Sequence, residues 1–420
     1  MTDPDQAPDP TERGAQIAAV PRISIQAFCE TADMAALVSD VGTERRMARA
    51  HMKVHMGGAA AAAEAYRAAP TPNLIIIESS AERAMLLGSL ESLAESCDAG
   101  TKVIIVGHLN DIVLYRDLMA RGVSDYLVMP VGVLDLVRAI SQLYTHPSAA
   151  PLGRVVAVTG CKGGCGASTV AHNMAWSISR ELDVATVIVD LDLAFGTAGL
   201  NFNQDPPQSI ADAVFAPDRL DANLVDRLLS KCTDRLSLLA APATLDQPYD
   251  LPETAFDGVL DILRGSVPCI VLDVPHQWTA WSRRALAAAD EVVLVAAPDL
   301  ANLRNAKNLV DLLRTARVHD TAPRLVMNGI GLMKRPEIAV ADFAKAVELS
   351  PMATIPFDAK LFGTAANNGQ MIGEVEAGGK VAGLFNDLAH RVSGRVEARR
   401  AKRSLLSPLV ARLGRKRLAT

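Results

Sequence analysis

The sequence predicts an α/β protein with two doubly wound parallel-sheet domains. Half of the 420 residues are hydrophobic and only 4% are aromatic, a composition that suits helices packed on both faces of a parallel sheet. Short continuous apolar runs, such as residues 74–77, 102–106 and 155–158, alternate with segments of helical periodicity. The chain is too long for one ordinary domain and long enough for two with substantial cores.

The first predicted domain covers residues 21–147. Its expected strands are 23–28, 51–55, 74–77, 102–106 and 124–129. The helices expected between and after them are 32–47, 58–69, 81–96, 111–121 and 132–145. Five strands alternating with five helices predict a flavodoxin-like doubly wound sheet. Residues 1–20, rich in Pro, Asp and Ala, are predicted to be a disordered N-terminal segment.

The second predicted domain covers residues 154–390, after a linker at 148–153. Its expected strands are 155–158, 184–191, 236–241, 268–274, 291–297, 323–328 and 352–356. No apolar run approaches the roughly 18 to 20 residues that span a bilayer, and the N-terminus lacks the features of a signal peptide. The six scattered cysteines include no C-x-x-C pair. We therefore expect a soluble cytoplasmic protein with reduced thiols.

A glycine-rich loop lies between the strand at 155–158 and a helix predicted at 168–181. Glycines let backbone N–H groups close around a phosphate, and the helix dipole adds positive potential. Ser168 lies where a loop hydroxyl would ligate Mg²⁺. The alternative is a tight glycine turn without a ligand, but the strand before the loop, the helix after it and the motifs downstream favour an anion site.

The loop resembles the deviant Walker A motif of MinD and ParA proteins, Lys-Gly-Gly-x-Gly-Lys-Ser/Thr. The resemblance implies ATP and Mg²⁺ as cofactors. The nucleotide-binding residues it implies here are Lys162, Gly163, Gly164, Cys165, Gly166, Ala167, Ser168 and Thr169. In that family the early lysine, here Lys162, reaches the partner's phosphates across a sandwich dimer. Ala167 replaces the second lysine, a strong point charge for phosphate, so we expect weakened binding and at most weak ATPase activity.

Three strand-end motifs extend this resemblance. Asp190 and Asp192 end one strand, and the resemblance assigns Asp192 to the attacking water or the Mg²⁺ shell and Asp190 to the polar network beside it. Asp273 ends an apolar strand in the Walker B arrangement, where the carboxylate holds the Mg²⁺ shell through water together with Ser168. Asn328 resembles the strand-end Asn that contacts the adenine edge. For each motif the alternative is a plain strand-end turn.

The first domain resembles a response-regulator receiver, on the evidence of Asp125-Tyr-Leu-Val-Met129-Pro130. Receivers commonly have lysine where Met129 stands. The phosphoacceptor aspartate would fall at Glu78, and only one acid, Glu30, follows the first strand where paired acids would bind Mg²⁺. No phosphorylation is therefore expected, and we interpret the domain as a degenerate receiver used for protein interaction.

A receiver-like domain joined to a MinD-like domain resembles the TadZ/CpaE family of pilus-assembly proteins. Ala167 and the segments 190–205 and 273–281 also match this family. The resemblance implies an ATP-binding positional scaffold for the assembly and polar localisation of a Flp or tight-adherence type pilus secretion system. It further implies a nucleotide-dependent homodimer, and partners such as the secretion ATPase or polar hub proteins. The alternative is an active MinD/ParA-type ATPase that cycles on membrane or on DNA.

Residues 391–420 carry ten Lys or Arg and one acid, on a chain whose net charge is −5. Apolar residues recur among these cations at helical spacing, as in interfacial helices. A membrane surface, a partner protein and bulk water all remain alternatives for this basic amphipathic tail. The tail has no aromatic residues for stacking on bases, which argues against nucleic acid. The expected location is therefore cytoplasmic, at a pole and peripheral to the inner membrane.

Overall fold

The computed structural model describes residues 17–21, 23–67, 69–98, 100–144, 152–245 and 248–393. Within these residues the chain forms two separate sheets of five and eight strands. All the strand pairs are parallel except one at an edge of the larger sheet. This confirms the predicted fold class. Most of the expected N-terminal segment and linker, and the tail beyond residue 393, lie outside the described residues.

The first unit is a five-stranded sheet in the order β2-β1-β3-β4-β5, the flavodoxin-like arrangement. Its strands are β1 Ser24–Cys29, β2 His51–Met56, β3 Leu74–Ser79, β4 Lys102–Gly107 and β5 Asp125–Val128. Its helices are α1 Ala32–Thr43, α2 Gly58–Ala65, α3 Arg83–Ala94, α4 Ile112–Ala120 and α5 Val133–Tyr144. Helices cover both faces, so the central strand β3 is buried along its whole length.

The helix expected at 32–47 is shorter than predicted, because α1 ends at Thr43 and a 3-10 turn follows at Arg45–Met47. Glu44 breaks the helix: its backbone is extended, and its carboxylate accepts a hydrogen bond from the N–H of Arg46 at 3.4 Å. A side chain that caps the next turn competes with continuation of the helix. The break turns the side chains of Arg45 and Arg46 out of the first unit toward the second.

The second unit is an eight-stranded sheet in the order β13-β12-β11-β6-β10-β7-β9-β8. Its strands are β6 Arg154–Gly160, β7 Thr186–Asp190, β8 Leu229–Lys231, β9 Leu236–Leu239, β10 Cys269–Val274, β11 Glu291–Ala296, β12 Arg324–Ile330 and β13 Pro351–Pro356. The sequence did not predict β8, because three residues at a sheet edge are too few to show a periodicity.

The helices of the second unit cover both faces of this sheet and form two separate cores. They are α6 Ala167–Glu181, α7 Ala198–Asn201, α8 Ile210–Val214, α9 Ala222–Leu228, α10 Asp257–Ser266, α11 Ala280–Ala288, α12 Leu300–Ala316, α13 Val340–Val347, α14 Ala359–Asn368, α15 Ile372–Val375 and α16 Lys380–Val392. A further 3-10 turn is Pro217–Arg219. No helix in the described part of the chain is both long and apolar enough to cross a bilayer.

The two units contact each other through an ion-pair network at the amino edges of their sheets. Arg45 reaches Asp290, directly before β11, with Nη1 3.1 Å from Oδ1, and it reaches Asp320, before β12, with Nε 2.5 Å from Oδ2. Arg46 Nη2 lies 2.7 Å from Asp320 Oδ1. Arg49 pairs with Asp261 on α10. The carboxyl edges, where α/β sheets carry their ligand sites, are not used in this network.

Candidate nucleotide-binding site

The glycine-rich loop connects the carboxyl end of β6 to the start of α6. Gly164 and Gly166 have φ of 80° and 87°, in the left-handed region that favours glycine. A Cβ on Gly166 would lie 2.3 Å from the Asn328 amide nitrogen. The close approach between this loop and β12 therefore requires glycine at position 166.

The backbone of β11 and a side chain of α12 hold the base of the loop. Cys161 N–H donates to the Val295 carbonyl at 2.8 Å, and Cys165 Sγ lies 3.2 Å from the same oxygen. Asn305 Nδ2 donates to the Cys161 carbonyl at 2.8 Å. Burial raises the pKa of both thiols, so the two cysteines act as small packing groups with little thiolate character.

The upper part of the loop is open. A Cβ on Gly163 or Gly164 would meet nothing within 4 Å. The start of α6 has glycine, Gly166, as its N-cap and therefore no side-chain cap. An uncapped helix start behind such a loop suits a phosphate, because it offers N–H donors and the positive end of the helix dipole. The residues present therefore fit a nucleotide phosphate.

The sheet brings the predicted carboxylates together next to this loop. Asp190 at the end of β7 is in register with Asp273 on β10, and Asp273 is in register with Val158 on β6. Asp190 and Asp273 are buried, and Asp192 is half-buried. Carboxylate oxygens and a loop hydroxyl such as that of Ser168 are suitable direct or water-mediated partners for Mg²⁺.

No group of three or more His, Cys, Asp or Glu side chains with the geometry of a complete metal site occurs among the described residues. Mg²⁺ usually keeps several waters and is held by one or two carboxylates together with substrate phosphates. The carboxylates here therefore fit a Mg²⁺ ion that arrives with a nucleotide better than a Mg²⁺ ion alone.

Asp190 is held by the backbone of the segment that follows it. Its Oδ1 accepts from Asp192 N–H at 3.1 Å and its Oδ2 accepts from Ala198 N–H at 3.0 Å. Burial raises the pKa of Asp190, and the nearby charge of Asp273 raises it further. Asp192 Oδ1 accepts from Phe195 N–H at 3.1 Å. The two acids of this strand end therefore have different environments: Asp190 is fixed within the protein, while Asp192 lies nearer to solvent.

Two side chains, Asn328 and His276, bond to the backbone of the loop and of the strand end before it. Asn328 on β12 donates from Nδ2 to the Cys165 carbonyl at 2.8 Å, so its amide nitrogen supports the loop itself. His276, after β10, lies with Nδ1 2.8 Å from the Gly160 carbonyl. A carbonyl only accepts, so Nδ1 carries the proton.

Trp281 packs edge-on against Phe256, whereas Trp278 is 54% exposed.

The sequence reasoning missed His172, which lies on α6 beneath the loop. It is buried and lies four residues after Ser168, so the two residues share a face of the helix. The signal available in the sequence was an ionisable residue on the apolar face of the helix that follows the loop.

The first unit carries a second group of polar contacts at the position expected for the receiver acceptor. Glu78 at the end of β3 is 1% exposed. Its Oε2 accepts from the N–H groups of Glu30 and Thr31 at 2.6 and 2.8 Å, and its Oε1 accepts from Thr31 Oγ1 at 2.8 Å. Glu30 in turn accepts from Ser80 N–H at 2.8 Å and from the Ser80 hydroxyl at 2.5 Å. These two carboxylates join the two loops rather than leaving an open acidic site.

Replacing Glu78 with aspartate is therefore expected to destabilise the first unit without creating a phosphorylation site. The shorter side chain moves the carboxylate away from its N–H donors, and lost hydrogen bonds to a buried charged group cost about 1–3 kcal/mol. Thermal unfolding and incubation with acetyl phosphate and Mg²⁺ measure the two effects. Glu95→Asp, at an exposed position, is the control and should change neither. Phosphoryl incorporation into the Glu78→Asp variant would contradict this interpretation.

Comparison with known proteins identifies relatives of both units. A pilus assembly protein CpaE from Caulobacter crescentus is 47% identical, and the match covers 31% of this chain and 98% of that chain, with a TM-score of 0.30. The sequence identity over almost the whole of that protein decides the assignment. This chain belongs to the CpaE family. The matched share corresponds in length to the first unit of this CpaE-family chain.

Two further matches of this CpaE-family chain have the length of its second unit. A ParA family ATPase from Chlorobium tepidum is 25% identical over 56% of this chain and 98% of that chain, with a TM-score of 0.52. The septum site-determining protein MinD of Synechocystis is 26% identical over 253 residues, 58% of this chain and 90% of the relative. No model of a known protein family matches the chain. The predicted resemblance to CpaE, with a unit of the MinD/ParA type, is confirmed.

Proposed function

We propose that this CpaE-family chain binds ATP with Mg²⁺ at the loop 162–169 and acts as a nucleotide-dependent dimeric scaffold that positions a pilus secretion system. The observation that carries the proposal is the open loop, with its uncapped helix start, beside the buried pair Asp190 and Asp273. CpaE relatives named as pilus assembly proteins support the pilus role, and the ParA and MinD relatives support a positioning role.

The proposed site divides the contacts to the nucleotide among a few groups. Backbone N–H groups of the loop and the start of α6 would hold the phosphates, and Ser168 and Asp273 would hold the Mg²⁺ shell. Bound Mg²⁺ would neutralise phosphate charge. Lys162 is exposed and is the one lysine in the loop, so it is available to a second copy of the chain. With alanine at position 167, the site favours slow hydrolysis or binding alone.

The proposed partners are a second copy of the chain and components of the pilus machine, such as its secretion ATPase or a polar hub protein. The carboxylates Glu78 and Glu30 of the first unit are occupied by hydrogen bonds to its own loops. This favours a role in protein interaction over a role in phosphoryl transfer. The proposed location is a cell pole, peripheral to the inner membrane. Beyond residue 393, the basic tail that would contact lipid lies outside the described residues.

Titration with ATP, ADP and AMP, each with Mg²⁺, tests the proposed function when binding and mass are followed on the same samples. We expect binding that needs more than one phosphate, and a shift from monomer to dimer with ATP but not with AMP. Lys162→Ala should retain binding and lose the dimer, because its ammonium would act on the partner's phosphates. Lys334→Ala, which removes another exposed lysine outside the loop, is the control. Absence of binding and an unchanged mass would contradict the proposal.

An active MinD/ParA-type ATPase is the second candidate, because Asp192 is half-buried and bonds with one carboxylate oxygen to Phe195 N–H. Phosphate release measured on the same samples separates the two candidates. Turnover that disappears in Asp192→Ala, with folding intact, favours the active ATPase. Binding and dimerisation without turnover favour the scaffold.

A further inference from the structure

His172 links three elements of the proposed site through its two ring nitrogens. The side chain projects from α6, is 1% exposed and packs near Phe202, with ring centroids 5.4 Å apart. Its Nε2 lies 3.1 Å from Asp273 Oδ2, and its Nδ1 lies 3.0 Å from Asn201 Nδ2. It therefore joins the helix behind the loop to the end of β10 and to α7, which follows the Asp190–Asp192 segment.

The partners on the two sides select one arrangement of the imidazole. Asp273 Oδ2 accepts, so Nε2–H donates to it. Nδ1 then has a lone pair, which matches the N–H donors of the Asn201 amide. A buried ring with both nitrogens bonded has a fixed orientation, as histidines with a positioning role do.

Asp273 depends on this histidine for its orientation. Among the side chains that the structure describes, His172 is the hydrogen-bond partner of the Asp273 carboxylate. Asp190, its neighbour across the sheet, is instead held by the backbone N–H groups of Asp192 and Ala198. One buried acid is thus fixed by its own segment, and the other is fixed by the helix that begins at the phosphate loop.

We propose that His172 is a positioning residue that holds Asp273 for the Mg²⁺ shell and thereby couples Mg²⁺ binding to nucleotide binding. This inference rests on the proposed nucleotide site. It assigns a function to a residue outside the loop and the strand-end motifs. The helix that begins at the end of the loop also carries His172, which holds the Asp273 carboxylate. A change that orders the loop should therefore also orient Asp273, and the reverse.

The test measures how much Mg²⁺ tightens ATP binding, as the ratio of Kd in EDTA to Kd in excess Mg²⁺, by calorimetry on the full chain. For His172→Ala we expect this ratio to fall about tenfold, the effect of losing one hydrogen bond to a charged group. Kd in EDTA should change much less, because the loop amides remain. His172→Gln should retain most of the ratio, since its amide can still donate to Asp273.

A matched core variant separates positioning from loss of stability. Met174→Ala removes a fully buried side chain from the same helix, and it should lower Tm while leaving the Mg²⁺ ratio unchanged. If His172→Ala has the wild-type ratio, or if Met174→Ala lowers the ratio equally, the inference is wrong although nucleotide binding stands. Wild-type binding that Mg²⁺ does not affect overturns the inference and the Mg²⁺ part of the proposed function, while nucleotide binding stands. A wild-type chain that binds no nucleotide overturns both the proposed function and the inference.

Discussion

Replacing Ala167 with lysine is expected to tighten ATP binding by roughly ten- to a hundredfold. Ala167 is the first residue of α6, directly after the left-handed Gly166, and it is half-buried beside the loop. A lysine that starts there can bring its ammonium to the phosphates. Hydrogen bonds between charged groups contribute about 1.5–3 kcal/mol, and each 1.4 kcal/mol is a tenfold change in Kd.

The nucleotide series and an uncharged variant test the origin of this gain. AMP binding should change little, because the added charge acts on the outer phosphates. Ala167→Met supplies a chain of similar length without charge and should give no gain with any nucleotide. Phosphate release should also rise in Ala167→Lys if the missing charge limits hydrolysis. Equal ATP affinities for the lysine and methionine variants would show that the natural alanine does not weaken the site.

The two sheets could be predicted because buried parallel strands have a simple sequence pattern. β3 and β4 contain continuous apolar runs, and the segments that alternate with the strands of the sheet have apolar residues at helical spacing. The end of α1 was less predictable, since the competing bond from Glu44 is a local side-chain effect. β8 was missed because it pairs antiparallel with β9 over three residues, and that pairing depends on tertiary position.

The sequence placed the loop, Asp190, Asp192 and Asp273 at strand ends, and the sheet brings these residues together. It could not reveal which groups hold the acids. His172 reaches Asp273 from a different element, 101 residues away in the chain. For Asn328 the resemblance implied contact with the base, whereas the structure shows a bond to the loop carbonyl of Cys165. The roles of the predicted site residues therefore stay predictions for the variants proposed above.

The contact between the two units was not predicted, and the charged groups around Asp320 are largely withdrawn from solvent. Asp320 is 6% exposed at its side chain and pairs with Arg45, Arg46 and Arg317. Asp290 pairs with Arg45 and Arg264, with Arg264 Nη2 2.8 Å from Oδ2, and it accepts from Val155 N–H at the start of β6. Asp290 and Asp320 bond both to groups at the edge of the larger sheet and to Arg45 of the first unit. Replacing either acid should therefore weaken the second unit and its contact with the first unit.

The pKa values of the two acids reflect this pairing. Burial alone would raise the pKa of Asp320, but the charges of Arg45, Arg46 and Arg317 hold it below its usual range. Burial would likewise raise the pKa of Asp290, and Arg264 and Arg45 hold it down. A carboxylate whose pKa is lowered in the folded state stabilises the fold above its unfolded pKa, and this stabilisation is lost as pH falls through the folded pKa.

Replacing Asp320 with alanine is expected to destabilise the chain by about 3–5 kcal/mol, the usual cost of removing one partner from a buried ion pair. Three guanidinium groups then lose a shared carboxylate. All three tryptophans, Trp176, Trp278 and Trp281, lie in the second unit, so their fluorescence follows that unit while far-UV circular dichroism follows both. We expect the two signals to coincide during wild-type unfolding and to separate in the variant.

Asp311→Ala is the matched control, because Asp311 pairs with Lys307 on the exposed face of α12. An exposed pair of this kind contributes about 0–1 kcal/mol. Arg45→Ala removes one of the two arginines by which the first unit pairs with Asp320, and it leaves Arg46 and Arg317 paired with that carboxylate. It should therefore separate the two unfolding signals less than Asp320→Ala does. The difference between the wild type and Asp320→Ala should shrink as pH falls below about 4, because Asp320 is protonated first in the unfolded chain and, at lower pH, in the folded chain as well. If Asp320→Ala behaves like Asp311→Ala at neutral pH, the network does not hold the two units together.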